Sequence, residues 1–259
     1  MTMNASIRVS DDPSVQYLLR LGDTCLIHAQ RLAEWCGHAP ILEEDIAMTN
    51  IALDYIGQAR ALLTLAGERE GAGHDEDQLA YLREERDYRN LTLVELPRGD
   101  FAVAVVRIYL LASLLQLIWE ALAGSSDEEL AAIAGKAVKE VRYHKQHAGD
   151  WVIRLARGTD ESARRTQSAL DMLWPYFREP FSEDAVDDHA KATGLGPRWA
   201  DLQDAWLAEI GDTLAEAGLV TPKATRFEST GKFGRHSEHM GYVLADLQHL
   251  QRAFPGGVW

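Results

Sequence analysis

Along most of this chain apolar residues return at alternating intervals of three and four, the period of a helix that buries one face. Asp11-Asp12-Pro13 supplies capping residues and then a proline near a first helical position, which predicts a helix from about 14 to 36. Its buried stripe is Leu18, Leu21, Cys25, His28, Leu32 and Trp35, and Gly37-His38-Ala39-Pro40 ends it. A second helix, about 42 to 69, carries Ala47, Ile51, Tyr55, Gln58, Leu62 and Leu65, with Asp54 beside the stripe and Gly71-Ala72-Gly73 as its stop. A strongly charged helix follows over about 77–93, up to Pro97-Arg98-Gly99. The next, about 100–123, is apolar nearly all round and is predicted to be central. Asp127 and its acidic neighbours then cap a helix over about 127–157 with Leu130, Ala134, Ala137, Val141, His144, Ala148, Trp151 and Leu155 on one stripe. Shorter helices are predicted at roughly 160–178, 183–192, 197–217 and 236–254, with a long loop at 218–235. No segment alternates as a strand does.

Two long-helix hairpins, 14–69 and 100–157, predict an all-α, four-helix-bundle core with additional C-terminal helices, read as one domain over 1–259. The stretch Phe101–Leu122 is long enough to span a bilayer, but it carries Arg107, Gln116 and Glu120. A charge at a bilayer centre costs about 2.5–3.5 kcal/mol or more, so the stretch reads as a helix buried in protein. The net charge of −14 argues against nucleic acid and anionic membrane surfaces as partners, because both need fields of Lys and Arg. The opening residues lack the apolar core of a secretory signal. Cys25 and Cys36, read on one helix, stand roughly 16 Å apart at 1.5 Å per residue, too far for a disulfide. Two free thiols and no disulfide framework suit the cytoplasm.

Bundle proteins that hold two metal ions use a carboxylate from one helix and Glu-x-x-His from its partner, twice over. This chain has no Glu-x-x-His. Asp54 is followed by Gly57 and Glu140 by Tyr143 at the positions where a ligand histidine is needed, with His144 one residue further on. Asp54, Gly57, Glu140, Tyr143 and His144 are therefore read as vestigial metal-site positions, with no metal assigned. Glu140 and His144, with His28, admit two readings: an altered metal site, or a buried polar network whose members bond one another. Tyr109, Ser113, Gln116 and Glu120 make a polar seam that faces either the bundle interior or solvent. His236 and His239 form a His-x-x-His pair that suits either a metal face or ordinary helix surface. There is no phosphate loop, dinucleotide fingerprint or nucleophile elbow, and no catalytic residue is assigned.

Arg83, Arg86 and Arg89 recur every three residues on the predicted 77–93 helix, with Tyr81 and Tyr88 interleaved. Read as one stripe, Arg83, Arg86, Asp87, Tyr88, Arg89 and Asn90 are candidates for contact with a phosphate-bearing ligand or an acidic partner. Acidic neighbours also allow a plain solvated face. The 218–235 loop and the tail Phe254–Trp259 are candidates for ordering by a partner.

Arg20–Arg60, Lys136–His144 and His236–Arg252 resemble the PaaC-type subunits of phenylacetyl-CoA 1,2-epoxidase complexes, and the similarity runs from about Val15 to the C-terminus. The resemblance implies a ferritin-like fold and a non-catalytic structural role in aerobic phenylacetate catabolism. It implies pairing with a PaaA-like subunit that holds the di-iron centre. A PaaB-like small subunit and a PaaE-like reductase with FAD and an iron–sulfur cluster complete the system, and phenylacetyl-CoA is the substrate of the complex. No cofactor is implied for this chain. Two other functions are compatible with the residues alone: an independent di-metal oxygenase with atypical ligands, and a metal-free acyl-CoA binding module.

Overall fold

The computed structural model describes residues 6–257. Among them are nine α-helices, short 3-10 turns and a single isolated bridge, Thr230 to Arg235, with no strand. The chain divides into two compact units, where the sequence reading has one domain. The first takes in the chain up to His38, Glu43–Pro97 and everything from Ser229, and the second is Ala39–Leu42 with Arg98–Glu228.

In the first unit α1 (Pro13–Ala33) starts where predicted. Asp12 accepts from the Ser14 and Val15 amides, and Pro13 occupies the first turn. The helix ends three residues earlier than expected, so Cys36 lies beyond it, exposed, while Cys25 is buried within it; neither is in a disulfide. α2 (Leu42–Glu70) returns antiparallel to α1. The pairing of Gly22 with Leu62 and Leu63, Cys25 with Gln58, and His28 with Tyr55 runs in opposite chain directions. α9 (Met240–Ala253) packs on α1 and on α3 (Glu76–Tyr81).

The predicted 77–93 helix does not form. α3 stops at Tyr81 and is followed by 3-10 turns at Glu85–Asp87 and Thr92–Glu95 joined by extended chain. The cause is tertiary. The Arg83 guanidinium turns back onto the Leu79 carbonyl at 2.5 Å, and the next amides find side-chain acceptors on α1. The Arg89 amide donates to Asp23 at 2.8 Å and the Leu91 amide to the Thr24 hydroxyl at 3.2 Å. Buried backbone groups must be bonded, and here a neighbouring helix bonds them in place of the segment's own turns.

In the second unit α4 (Phe101–Leu122) and α5 (Glu128–Ala156) form the predicted hairpin, and α6 (Asp160–Leu173) and α8 (Gln203–Ala217) pack on both. α7 (Ala185–Thr193) precedes α8. Asp100 and Asp127 cap α4 and α5. α4 is long and apolar enough to cross a membrane by length and composition, and 78% of its most apolar window is buried inside the protein. An aromatic cluster of Trp174, Phe177 and Phe181 surrounds Trp206, whose indole N–H donates to the Leu110 carbonyl at 3.1 Å.

The predicted 218–235 loop is divided. Its last part, from Ser229, packs within the first unit, where the Gly231 amide donates to Thr92 Oγ1 at 2.9 Å. A Cβ on Gly231 would fall 2.6 Å from the Asn90 carbonyl oxygen. This stretch is ordered by its own chain. Of the predicted partner-ordered tail, Val258 and Trp259 lie outside the described residues.

Candidate functional site

The six contact candidates at 83–90 do not share a face. Arg83 is fully buried and forms a two-pronged ion pair with the buried Asp23 carboxylate, one arm at 2.9 Å. The guanidinium also donates to the Asp87 carbonyl at 3.1 Å and lies 4.2 Å from the centre of the Tyr88 ring. Burial disfavours its charge, but the Asp23 carboxylate outweighs burial and holds Arg83 above the ordinary guanidinium range. Tyr88 is buried, donates to the Ala80 carbonyl, accepts from Gln248 and is pushed up to about 12, chiefly by desolvation. Asn90 is buried and donates to Glu95, while Asp87 is half-buried. Arg89 is half-buried, donates to Gln16 at 2.6 Å and is lowered mainly by burial. Arg86 alone of the three arginines is exposed, beside a cavity of about 470 Å³ that Arg8, Asp11, Glu84 and Asp87 also line. The continuous guanidinium row read from the sequence therefore does not exist, because it needed a helix that α1 replaces.

What the structure assembles instead is a buried polar network that includes the His-x-x-His motif. The Glu95 carboxylate accepts from His236 Nδ1 at 2.6 Å, Asn90 Nδ2 at 3.0 Å, and the amide and hydroxyl of Ser237 at 2.7 and 2.6 Å. His236 Nε2 faces the Tyr88 carbonyl at 3.1 Å. Both ring nitrogens face acceptors, so both bonds form only with the imidazolium. Burial opposes that charge, but the bond to Glu95 and its negative charge dominate and raise His236 above the ordinary histidine range. His239 is partly exposed, 4.0 Å from Glu238. With both nitrogens of His236 engaged, the pair presents no metal face.

The vestigial metal positions separate by exposure. On α2, Asp54 is half-buried and Gly57 exposed, while the inward side chains are Tyr55 and Gln58. Cys25 Sγ lies 3.7 Å from Gln58 Oε1, His28 meets the Tyr55 ring edge-on at 5.0 Å, and burial drives the Tyr55 hydroxyl well above its ordinary range. On α5, His144 is buried, Glu140 is half-buried with Lys136 at 3.5 Å, and Tyr143 is 52% exposed and stacked on His147. Gly57 and Tyr143 thus occupy outward positions, one residue off the inward register. The polar seam of α4 divides: Tyr109 and Ser113 are interior, whereas Gln116 bonds Glu120, which pairs with Arg142 at 2.9 Å on the surface. Among the described residues no group of three or more His, Cys, Asp or Glu is placed to hold a metal ion. The inward donors beside Asp54 and Gly57, the Tyr55 phenol and the Gln58 amide, do not fit a di-iron centre, which needs carboxylates and imidazoles.

Residues 2–259 match the family model for phenylacetic acid catabolic proteins that covers the PaaA and PaaC types. The chain belongs to this family. Its all-α, ferritin-like fold class is the one read from the sequence. A curated relative, the C component of 1,2-phenylacetyl-CoA epoxidase from Escherichia coli (strain K12), is 45% identical over 243 residues, covering 94% of this chain and 98% of the relative. Sequence reasoning missed Asp23, Thr24, Glu95 and Gln248, the partners that fold the 83–96 segment. One signal was available for three of them: Asp23, Thr24 and Gln248 fall inside the stretches that carry the family resemblance.

Proposed function

We propose that this chain is the non-catalytic structural subunit of a phenylacetyl-CoA 1,2-epoxidase complex. In that role it pairs with and stabilises a PaaA-like chain that carries the di-iron centre, in aerobic phenylacetate catabolism in the cytoplasm. The observation that carries the reading is the 45% identity across 98% of a relative named as the C component of that epoxidase. The donor chemistry supports the division of labour, since the chain has no Glu-x-x-His and the inward side chains beside Asp54 and Gly57 are Tyr55 and Gln58. A PaaB-like small subunit and a PaaE-like flavin and iron–sulfur reductase complete the proposed system. Co-expression with a PaaA-like chain, mass measurement of the product and iron analysis of each component test it. The expected result is a heteromer with iron in the PaaA-like chain, and epoxidation of phenylacetyl-CoA only when both chains and a reductase are present. About two irons bound by this chain alone, lost on Glu140→Ala, would overturn the division of labour.

A further inference from the structure

The last part of the chain joins the first unit at residue 229, and residues 229–239 lie against the 86–95 segment before α9 begins. This strap closes on itself: the Arg235 amide donates to the Thr230 carbonyl at 3.2 Å, and Thr230 Oγ1 donates to the Arg235 carbonyl at 3.1 Å. It also lies close on its neighbour, since a Cβ on Gly234 would fall 2.5 Å from the Arg86 carbonyl oxygen. Phe233 is its one large apolar residue and is 37% exposed. Polar bonds to 86–95 tie it down. The Gly231 amide donates to Thr92, His236 bonds Glu95 and the Tyr88 carbonyl, and Ser237 donates to Glu95 through both amide and hydroxyl. Ser237 in turn accepts from the His239 amide at 3.3 Å and, through its carbonyl, from the Met240 amide at 3.1 Å, so α9 starts from this anchor.

We propose that residues 229–239 are a proton-operated latch: with His236 charged they are closed over Glu95 and Asn90, and loss of that proton frees them together with the first turn of α9. The geometry leaves the neutral ring no good arrangement. With its proton on Nδ1, Nε2 sets a lone pair against the Tyr88 carbonyl at 3.1 Å; with its proton on Nε2, Nδ1 sets one against the Glu95 carboxylate at 2.6 Å. Opening leaves little orphaned behind it. The Tyr88 carbonyl still accepts from Arg89 Nη1 at 3.0 Å, and Glu95 still accepts from Asn90 while water reaches its other oxygen. A segment held by polar bonds rather than apolar burial opens locally without unfolding the rest. The charges around His236 work in both directions. Glu95, from the 3-10 turn, and Asp23, from α1 and itself paired with Arg83, favour the imidazolium; burial and the positive charge of Arg89 oppose it. On the strap, Lys232 is buried, Arg235 and Glu238 are exposed and His239 is partly exposed. Glu95 prevails and holds His236 above the ordinary histidine range. The closed strap therefore binds the proton more tightly than the open one, whose ring meets water, and opening grows as pH rises through the closed-state value. The latch belongs to this chain by itself and stands apart from the epoxidase reading.

The test is hydrogen exchange of the full chain between about pH 6 and pH 9, corrected for the intrinsic rate at each pH, with a peptide over 229–239 compared with one from α1. Protection of the strap falls by about tenfold or more, the size of one lost charge-assisted hydrogen bond, while α1 stays protected. The midpoint of the fall coincides with the titration of the His236 ring followed by NMR, and Glu95→Gln lowers both midpoints together. His236→Gln abolishes the pH step. Ser237→Ala loosens the strap at every pH but keeps the step, because the hydroxyl bond it removes does not titrate. Strap protection that is constant from pH 6 to pH 9 would overturn the latch, as would a fall that persists in His236→Gln. So would a wild-type midpoint that differs from the His236 titration, a comparison that needs no variant to fold. Protection lost from α1 and the strap together would mean global unfolding, and no latch.

Discussion

α1 and α4 are the enclosed helices of their respective units, and they reach that position by different chemistry. α4 is buried continuously from Ala104 to Leu115, and the polar side chains in that run are Arg107, Tyr109 and Ser113. Arg107 lies near its start and reaches out to the Arg98 carbonyl at 3.0 Å. α1 is buried continuously from Val15 to Ala29, and that run includes Gln16, Arg20, Asp23, Thr24 and His28. An apolar helix is buried wherever other apolar surface is available, because the hydrophobic effect has no direction. A polar helix is buried only where each of its groups meets a partner of the right kind. α1 has those partners because residues 83–96 wrap it as irregular chain, with Arg83 on Asp23, Arg89 on Gln16 and Asp23, and the Leu91 amide on Thr24. The first unit is thus specified by a set of pairings, the second mainly by volume and area.

The largest way to break that contrast is to remove one half of the buried pair. Arg83→Met leaves Asp23 buried and unmatched and is expected to cost about 3–5 kcal/mol in urea unfolding. The double change Asp23→Leu with Arg83→Met should lose less than the two single losses added, since it leaves no lone buried charge. Strict additivity would show that the two groups do not act as a pair. In α4 the counterpart is Leu111→Ala, fully buried, with an expected loss of about 2–5 kcal/mol from transfer and cavity. That loss should be insensitive to pH and salt. A marked pH dependence would mean the second unit also rests on ionised pairings.

A smaller effect sharpens the comparison by proton linkage. His236 is raised in the folded chain, so the native state holds this proton more tightly than the unfolded chain does. Its contribution is fully present below the ordinary histidine value of about 6.5 and is lost as pH rises through the folded value. The Tm should therefore fall between about pH 6 and pH 9. The groups facing His236 are Glu95 and the Tyr88 carbonyl, with the charge of Asp23 adding to the same sign. His236→Gln should lower Tm at pH 6 and flatten its decline toward pH 9. An unchanged decline in His236→Gln would remove His236 as its source.

The same contrast explains what the sequence made legible. Capped starts at Asp12 and Asp127, the two long hairpins and the buried α4 follow from local caps and period, which involve only residues near one another in sequence. The 77–93 helix was misread because its fate depends on Asp23 and Thr24, more than 60 positions away. The arginine row failed with it, since spacing has meaning only on a formed helix. The absence of Glu-x-x-His is a fact of the sequence alone. The inward register at Tyr55 and Gln58 was already in the predicted apolar stripe, while Gly57 and Tyr143 were chosen by motif spacing and fall outside it.

The smallest expected difference compares one helical glycine in each unit. Replacing an interior helical glycine with alanine gains about 0.5–1 kcal/mol from backbone entropy, provided that the new methyl fits. At Gly22 of α1 the added Cβ would lie 3.1 Å from Leu63 Cδ2 and 3.4 Å from Leu62 Cβ. The nearer atom is the end of a flexible side chain and can turn away by a few tenths of an ångström. At Gly149 of α5 the Cβ would lie 3.2 and 3.3 Å from two carbons of the Tyr109 ring. Those atoms move only together, and Tyr109 is buried, so relief requires shifting a whole ring in packed surroundings. Gly22→Ala is therefore expected to be neutral or stabilising by up to about 0.5 kcal/mol, and Gly149→Ala to cost about 1 kcal/mol net. Thermal unfolding of the two variants under identical conditions checks the order. The reverse order would show that the pairing-rich core around α1 has less freedom to adjust than the apolar core around α4, and that the network governs side-chain packing as well as backbone path.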